Sequence, residues 1–164
     1  MSNPIADMSL VEQARALVSG EPNPIANAAN LSALLMQGLP DLNWCGFYFF
    51  DGSELVLGPF QGKPACLRIP LNRGVCGHAA TTRTMQIVAD VHQFAGHIAC
   101  DAASRAELVV PLIRDGALIG VLDLDSPSES RFSAEDATVV AAVAAVFVDS
   151  LDADRLTPFY AFRA

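Results

Sequence analysis

The sequence predicts an α+β domain: an antiparallel sheet with helices at both ends of the chain. Three observations carry this. Helix start and stop residues bracket apolar segments near the two chain ends, and between those segments two turn signals separate strand-like runs. A composition of 52% hydrophobic and 17% charged residues in 164 supports one compact domain and argues against disorder.

Taken in order, "SLVEQARALVSG" opens with Ser9 as an N-cap and Glu12 three residues on, a capping box, and stops at Gly20 as a short helix. "NPIANAANLSALLMQG" places Pro24 in the first turn of a second helix and Gly38 at its end. The pattern then changes. "WCGFYFFDGSELVLGPF" is aromatic and broken by Asp51-Gly52, a hairpin signal. "GVCGHAATTRT" makes a short helix and "MQIVAD" a strand, whereas "DVHQFAGHIACDAASRA" lacks periodicity and reads as a long, function-bearing loop. "ELVVPLI" and "ALIGVLDLD" flank Arg114-Asp115-Gly116 as a second hairpin. "FSAEDATVVAAVAAVFVDSL" closes the chain as a helix capped by Ser133 with Asp136 at the third position. The whole chain, 1–164, is expected to be one domain. Its core spans about 24–151, with 1–23 as a helical extension and 152–164 as a tail containing "RLTPFYAFRA".

Composition also restricts the partners. A net charge of -8 with no basic cluster makes nucleic acid and anionic membrane surfaces poor ligands. The most apolar run, Ala137 to Val148, is shorter than the about 20 residues of a membrane span. "MSNPIADMSL" has no basic residue before an apolar run, so it does not read as a secretory signal, and a cytoplasmic protein is expected. Four cysteines in a reducing compartment point to transient redox chemistry or metal binding, yet neither CxxC nor HxxxH spacing occurs.

Strand alternation puts Ile119, Val121, Asp123 and Asp125 on one face and Leu118, Leu122 and Leu124 on the other. Two carboxylates therefore project side by side. If buried, they call for a cation or a shared proton; if exposed, Asp125-Ser126-Pro127 merely ends a strand in a turn. Cys66, Cys76 and Cys100 lie in loop-like or helix-initiating stretches, where helix amides stabilise an exposed thiolate. Any one of them could instead be a small buried hydrophobe, as Cys45 is expected to be on a strand face with Phe47 and Phe49. His78, His92 and His97 lie near the cysteines, leaving open a Cys/His metal site; His97 could also lower a cysteine pKa or pin a loop. Trp44 and Tyr48 share a strand face, either as core or as an aromatic wall for a small ligand.

The segments "WCGFYFF", "LGPFQGKPAC", "GVCGHAA", "ADVHQFAGHIACD", "AELVVPL" and "GVLDLDSP" resemble, in order and spacing, the free methionine-(R)-sulfoxide reductases, a branch of the GAF-domain fold. The resemblance runs from Trp44 to about Phe147. It implies a GAF-like sheet of about six antiparallel strands flanked by helices, a homodimer, and reduction of free L-methionine-(R)-sulfoxide to L-methionine under oxidative stress. Cys100 matches the cysteine that attacks the sulfoxide, Cys66 the main resolving cysteine and Cys76 an auxiliary one. Glu107, Asp123 and Asp125 match the acidic residues that hold the substrate, and Trp44 and Tyr48 the aromatics near its methyl end. Two positions depart from the pattern: Ala106 stands where a serine is common, and Cys45 is an additional thiol.

The resemblance further implies a Cys66–Cys100 disulfide reduced by thioredoxin, ultimately from NADPH, with no metal or organic cofactor. The chemistry asks that Glu107 or Asp123 be protonated to activate the sulfoxide oxygen, that Asp125 stay ionised for the substrate ammonium, and that amides near "GVCGHAA" hold its carboxylate. Two other readings remain: a non-enzymatic GAF small-ligand sensor, and a zinc-stabilised binding protein using Cys66, Cys76, Cys100 and a histidine.

Overall fold

The computed structural model describes residues 8–98 and 100–152; the stretch before Met8 and the tail carrying "RLTPFYAFRA" lie outside the described residues. Among the described residues the element order is α1 (Ser9–Val18), α2 (Pro24–Gly38), β1 (Trp44–Phe50), β2 (Glu54–Gly62), β3 (Arg68–Pro70), α3 (Gly74–Thr82), β4 (Gln86–Val88), β5 (Ala106–Arg114), β6 (Ala117–Ser126) and α4 (Ala134–Ser150). The strands form one antiparallel sheet in the order β3-β2-β1-β6-β5-β4. The long loop contains one short 3₁₀ turn, Val91–Gln93.

The two faces of the sheet are built differently. On one, Cys45, Phe47, Phe49, Leu108, Leu112, Leu122 and Leu124 pack against Leu31 and Leu35 of α2, Val11 and Ala14 of α1, and Val140, Val143 and Phe147 of α4. Phe47 and Phe147 rings meet at 4.7 Å. On the other, Trp44, Tyr48, Val109 and Val121 lie beneath Val75, Cys76, Ala79 and Ala80 of α3. The first face is a sealed apolar layer that stiffens the sheet; the second, thinner layer holds the polar side chains described below.

Local signals explain most boundaries. Asn23 caps α2 by accepting from the amides of Ile25 and Ala26, with Pro24 in the first turn. Ser133 and Asp136 form a reciprocal capping box on α4, and Arg131 adds an ion pair to Asp136 at 2.7 Å, both side chains buried. Asp51 Oδ1 accepts from the amides of Ser53 and Glu54, fixing the β1–β2 turn.

The capping box expected at Ser9 and Glu12 does not form. The helix already includes Ser9, its N-cap is Met8 in a helical conformation, and no side chain caps it. The face assignment on β6 also changes at its start. Ile119 packs with Leu122 and Leu124 on the helix-covered side, while Leu118 joins Val121 on the α3 side. The β5–β6 ladder shifts register between Leu112 and Ile113, and Gly120 sits where a Cβ would come within 2.0 Å of the Tyr48 carbonyl oxygen. Ile119 is the extra residue of this bulge, unpaired across β5, and the alternation slips by one residue there.

Candidate active site

Strand register brings the acids together. On the α3 face of the sheet, Glu107 of β5 stands opposite Asp125 of β6, and Asp123 lies two pairs further along, opposite Val109. On the other side of β6, Trp44 faces Asp125 and Gly46 faces Asp123. A Cβ on Gly46 would fall 2.3 Å from Phe60 Cβ and 2.8 Å from Trp44 Cη2, so only glycine lets the Trp44 ring fold back here. The Trp44 ring stacks with Phe60 at 5.3 Å and with Tyr48 at 5.8 Å, making one aromatic wall.

The carboxylates are buried: Glu107 is 7% and Asp123 5% exposed. Cys76, in the first turn of α3, points its Sγ to 3.7 Å from Glu107 Oε1. Ligating atoms of Cys76, Glu107 and Asp123 all lie within 4.8 Å of one another, and Asp123 Oδ1 has no hydrogen-bond partner. Such a cluster is set up to share protons or to receive a cation or ammonium group.

Burial is the largest influence on every member. It pushes Glu107 well above the usual carboxylate range, with the Asp123 and Asp125 charges adding to it. It raises Asp123 to about 6, with hydrogen bonds from Cys76 and Glu107 opposing the rise. Asp125 is also pushed well up, by burial first and then by Asp123 and Asp101. All three carboxyls are therefore held above the usual carboxylate range by burial. An ammonium brought against Asp125 would restore its charge.

Cys76 differs from the expectation of an exposed thiolate. Although helix-initiating, its thiol is buried and its pKa pushed up, first by desolvation and then by Asp123 and Glu107. Cys45 is a buried small hydrophobe beside Phe47 and Phe49, as its strand position predicts.

Cys66 and Cys100, 34 residues apart in sequence, are joined by a disulfide with Cα atoms 5.4 Å apart. It closes over a cavity of about 40 Å³ lined by Trp44, Tyr48, Cys76, Cys100, Glu107, Asp123 and Asp125. With Cys66 and Cys100 bonded to each other, the zinc set of three cysteines and a histidine is not assembled; among the described residues the donors that converge are Cys76, Glu107 and Asp123. His92 bonds Asp90 at 3.0 Å, His78 meets Phe94 edge-on, and His97 lines the cavity with its pKa lowered by burial and then by His92.

Comparison with known proteins fits this geometry. The GAF domain family matches residues 28–152. Free methionine-R-sulfoxide reductase of Escherichia coli is 55% identical over 121 residues, covering 74% of this chain and 73% of that protein. The chain belongs to the free methionine-R-sulfoxide reductase family of GAF domains. Among solved structures, the family's enzyme from Neisseria meningitidis in complex with its substrate is 41% identical, covers 90% of this chain and 89% of its own, and has a TM-score of 0.85. A Burkholderia vietnamiensis protein described as a GAF sensor is 61% identical, covers 90% and 94%, and has a TM-score of 0.86.

Within this family site, sequence reasoning missed several contributors. Asp101 and Ser104 line the cavity and are held by Asn43, whose Nδ2 lies 3.3 Å from Asp101 Oδ2 and 3.1 Å from Ser104 Oγ. Arg73, the N-cap residue of α3, lines it too. Adjacency was the available signal, since Asp101 follows Cys100, Asn43 precedes Trp44 and Arg73 precedes "GVCG".

Proposed function

We propose that this protein reduces free L-methionine-(R)-sulfoxide to L-methionine, with Cys100 as the nucleophile. The observation that carries this is the Cys66–Cys100 disulfide lying over a buried carboxyl cluster at the aromatic wall, in a chain with reductase relatives. The sulfoxide sulfur is a poor electrophile until its oxygen is protonated. Glu107, kept neutral by burial beside Asp123, supplies that proton, and Asp123 accepts a hydrogen bond from it. Asp125 binds the substrate ammonium, Trp44 and Tyr48 pack on its methyl end, and amides at the start of α3 hold its carboxylate.

In the first step the Cys100 thiolate attacks the sulfoxide sulfur. The adduct's hydroxyl, protonated by Glu107, passes to the Cys100 sulfur as the substrate S–O bond and the transient bond between the two sulfurs break, so methionine sulfur gains two electrons and Cys100 is left as a sulfenic acid. The Cys66 thiol then attacks Cys100 sulfur, expelling the hydroxyl as water and forming the S–S bond. An external dithiol, thioredoxin drawing on NADPH, exchanges with that bond, becomes a disulfide and returns both cysteines to thiols. Cys76 is an auxiliary resolving thiol. On this reading the cycle needs no metal or organic cofactor, and the enzyme works as a cytoplasmic homodimer.

The test is thioredoxin-coupled NADPH consumption with free L-methionine-(R)-sulfoxide, the S epimer and a peptide-bound R sulfoxide. Turnover of the free R epimer alone is expected. No turnover by folded, reduced protein would favour the second reading, a small-ligand sensor, which the Burkholderia relative's description supports. Ligand binding by a sensor would survive Cys100→Ser.

A further inference from the structure

The segment that carries Cys66, between β2 and β3, has no helix or strand of its own. Two bonds fasten it to β1. The Trp44 indole Nε1–H donates to the Lys63 carbonyl at 3.2 Å, and the Tyr48 hydroxyl donates to the Cys66 carbonyl at 3.0 Å. Both donors are themselves buried, Trp44 being 3% and Tyr48 2% exposed. A third bond, from the Leu57 amide to the Leu67 carbonyl at 3.0 Å, closes the far end of the segment. If the segment lifts away, two buried donors lose their acceptors, which costs more than breaking two solvated bonds.

We infer that the Tyr48 hydroxyl and the Trp44 indole N–H are positioning groups for resolution: they draw the Cys66 segment down so that its thiol sits at the Cys100 sulfenic acid. This rests on the reductase reading and adds a role to two side chains otherwise assigned only to the substrate's methyl end. Burial holds the Tyr48 hydroxyl protonated, so it remains a donor across the working pH range.

The experiment measures a partition. Reduced wild type, Tyr48→Phe and Trp44→Phe, each checked by circular dichroism, are mixed with limiting free L-methionine-(R)-sulfoxide and a fixed concentration of dimedone, which captures sulfenic acid. Mass spectrometry then gives the ratio of Cys100 dimedone adduct to Cys66–Cys100 disulfide per methionine formed. A weaker substrate pocket lowers both products together and leaves the ratio alone. Loss of one positioning bond raises the ratio about fivefold in each variant, the effect of one net hydrogen bond. A ratio equal to wild type in both variants overturns the inference. If wild type forms no methionine, the reductase reading fails on its own; limiting hydrogen peroxide then replaces the sulfoxide as oxidant and the same ratio is read.

Discussion

Replacing Asp123 by Asn should stabilise the protein at neutral pH while removing its activity. Asp123 is buried, its Oδ1 lacks a partner, and its pKa rises from 3.8 to about 6. Between these values the folded state binds more protons than the unfolded one, so stability falls as pH rises through that window. A rise of about two units at 1.36 kcal/mol each costs the folded protein about 3 kcal/mol above pH 6 and almost nothing below about pH 3. An amide at this position carries no charge and can donate to Glu107. The variant should therefore gain about 3 kcal/mol at pH 8, about 6 to 12 °C in Tm for a chain of this length, and only about 1 kcal/mol at pH 4.5. Thermal unfolding of the reduced proteins followed by circular dichroism at both pH values reads this directly. A variant no more stable than wild type at pH 8 would refute the claim that a strained, ionised Asp123 is stored in the site.

Further outcomes follow from the same geometry. Glu107→Gln should lower kcat by about 10²- to 10⁴-fold, the usual contribution of a general acid, and flatten the loss of rate at high pH; a steady-state pH profile checks both. Phe147→Ala empties the space against Phe47 and should cost about 3–5 kcal/mol by urea unfolding. The Cys66–Cys100 disulfide lies over the cavity lined by the carboxyl cluster and the aromatic wall, across the space a substrate would occupy. Calorimetry should accordingly show free L-methionine binding to the Cys66→Ser variant and not to the oxidised wild type.

What could be read from the sequence depended on range. Asp51-Gly52, Pro24, and Ser133 with Asp136 act over three or four residues, and each sets a turn or helix start where its local chemistry predicts. The Ser9–Glu12 pattern is of the same kind and failed, because the α1 helix takes Ser9 into its first turn and starts from Met8. β3 is only three residues long and leaves no period to detect. The slip at Ile119 lies in the β5–β6 pairing, which no pattern within β6 encodes. Asp123 and Asp125 were visible as a pair through strand alternation. Their meeting with Glu107 depends on β5–β6 register, and the pairing of Cys66 with Cys100 on two loops 34 residues apart; both were reached only through family resemblance.

The most direct test of the central claim is a single turnover. Fully reduced protein is mixed with one equivalent of free L-methionine-(R)-sulfoxide in the absence of any other reductant, and methionine and protein thiols are counted together. One methionine per chain is expected, with loss of the Cys66 and Cys100 thiols to one disulfide, Cys45 and Cys76 still free, and neither product from Cys100→Ser. Methionine formed by Cys100→Ser, or a disulfide that appears without methionine, would contradict that claim.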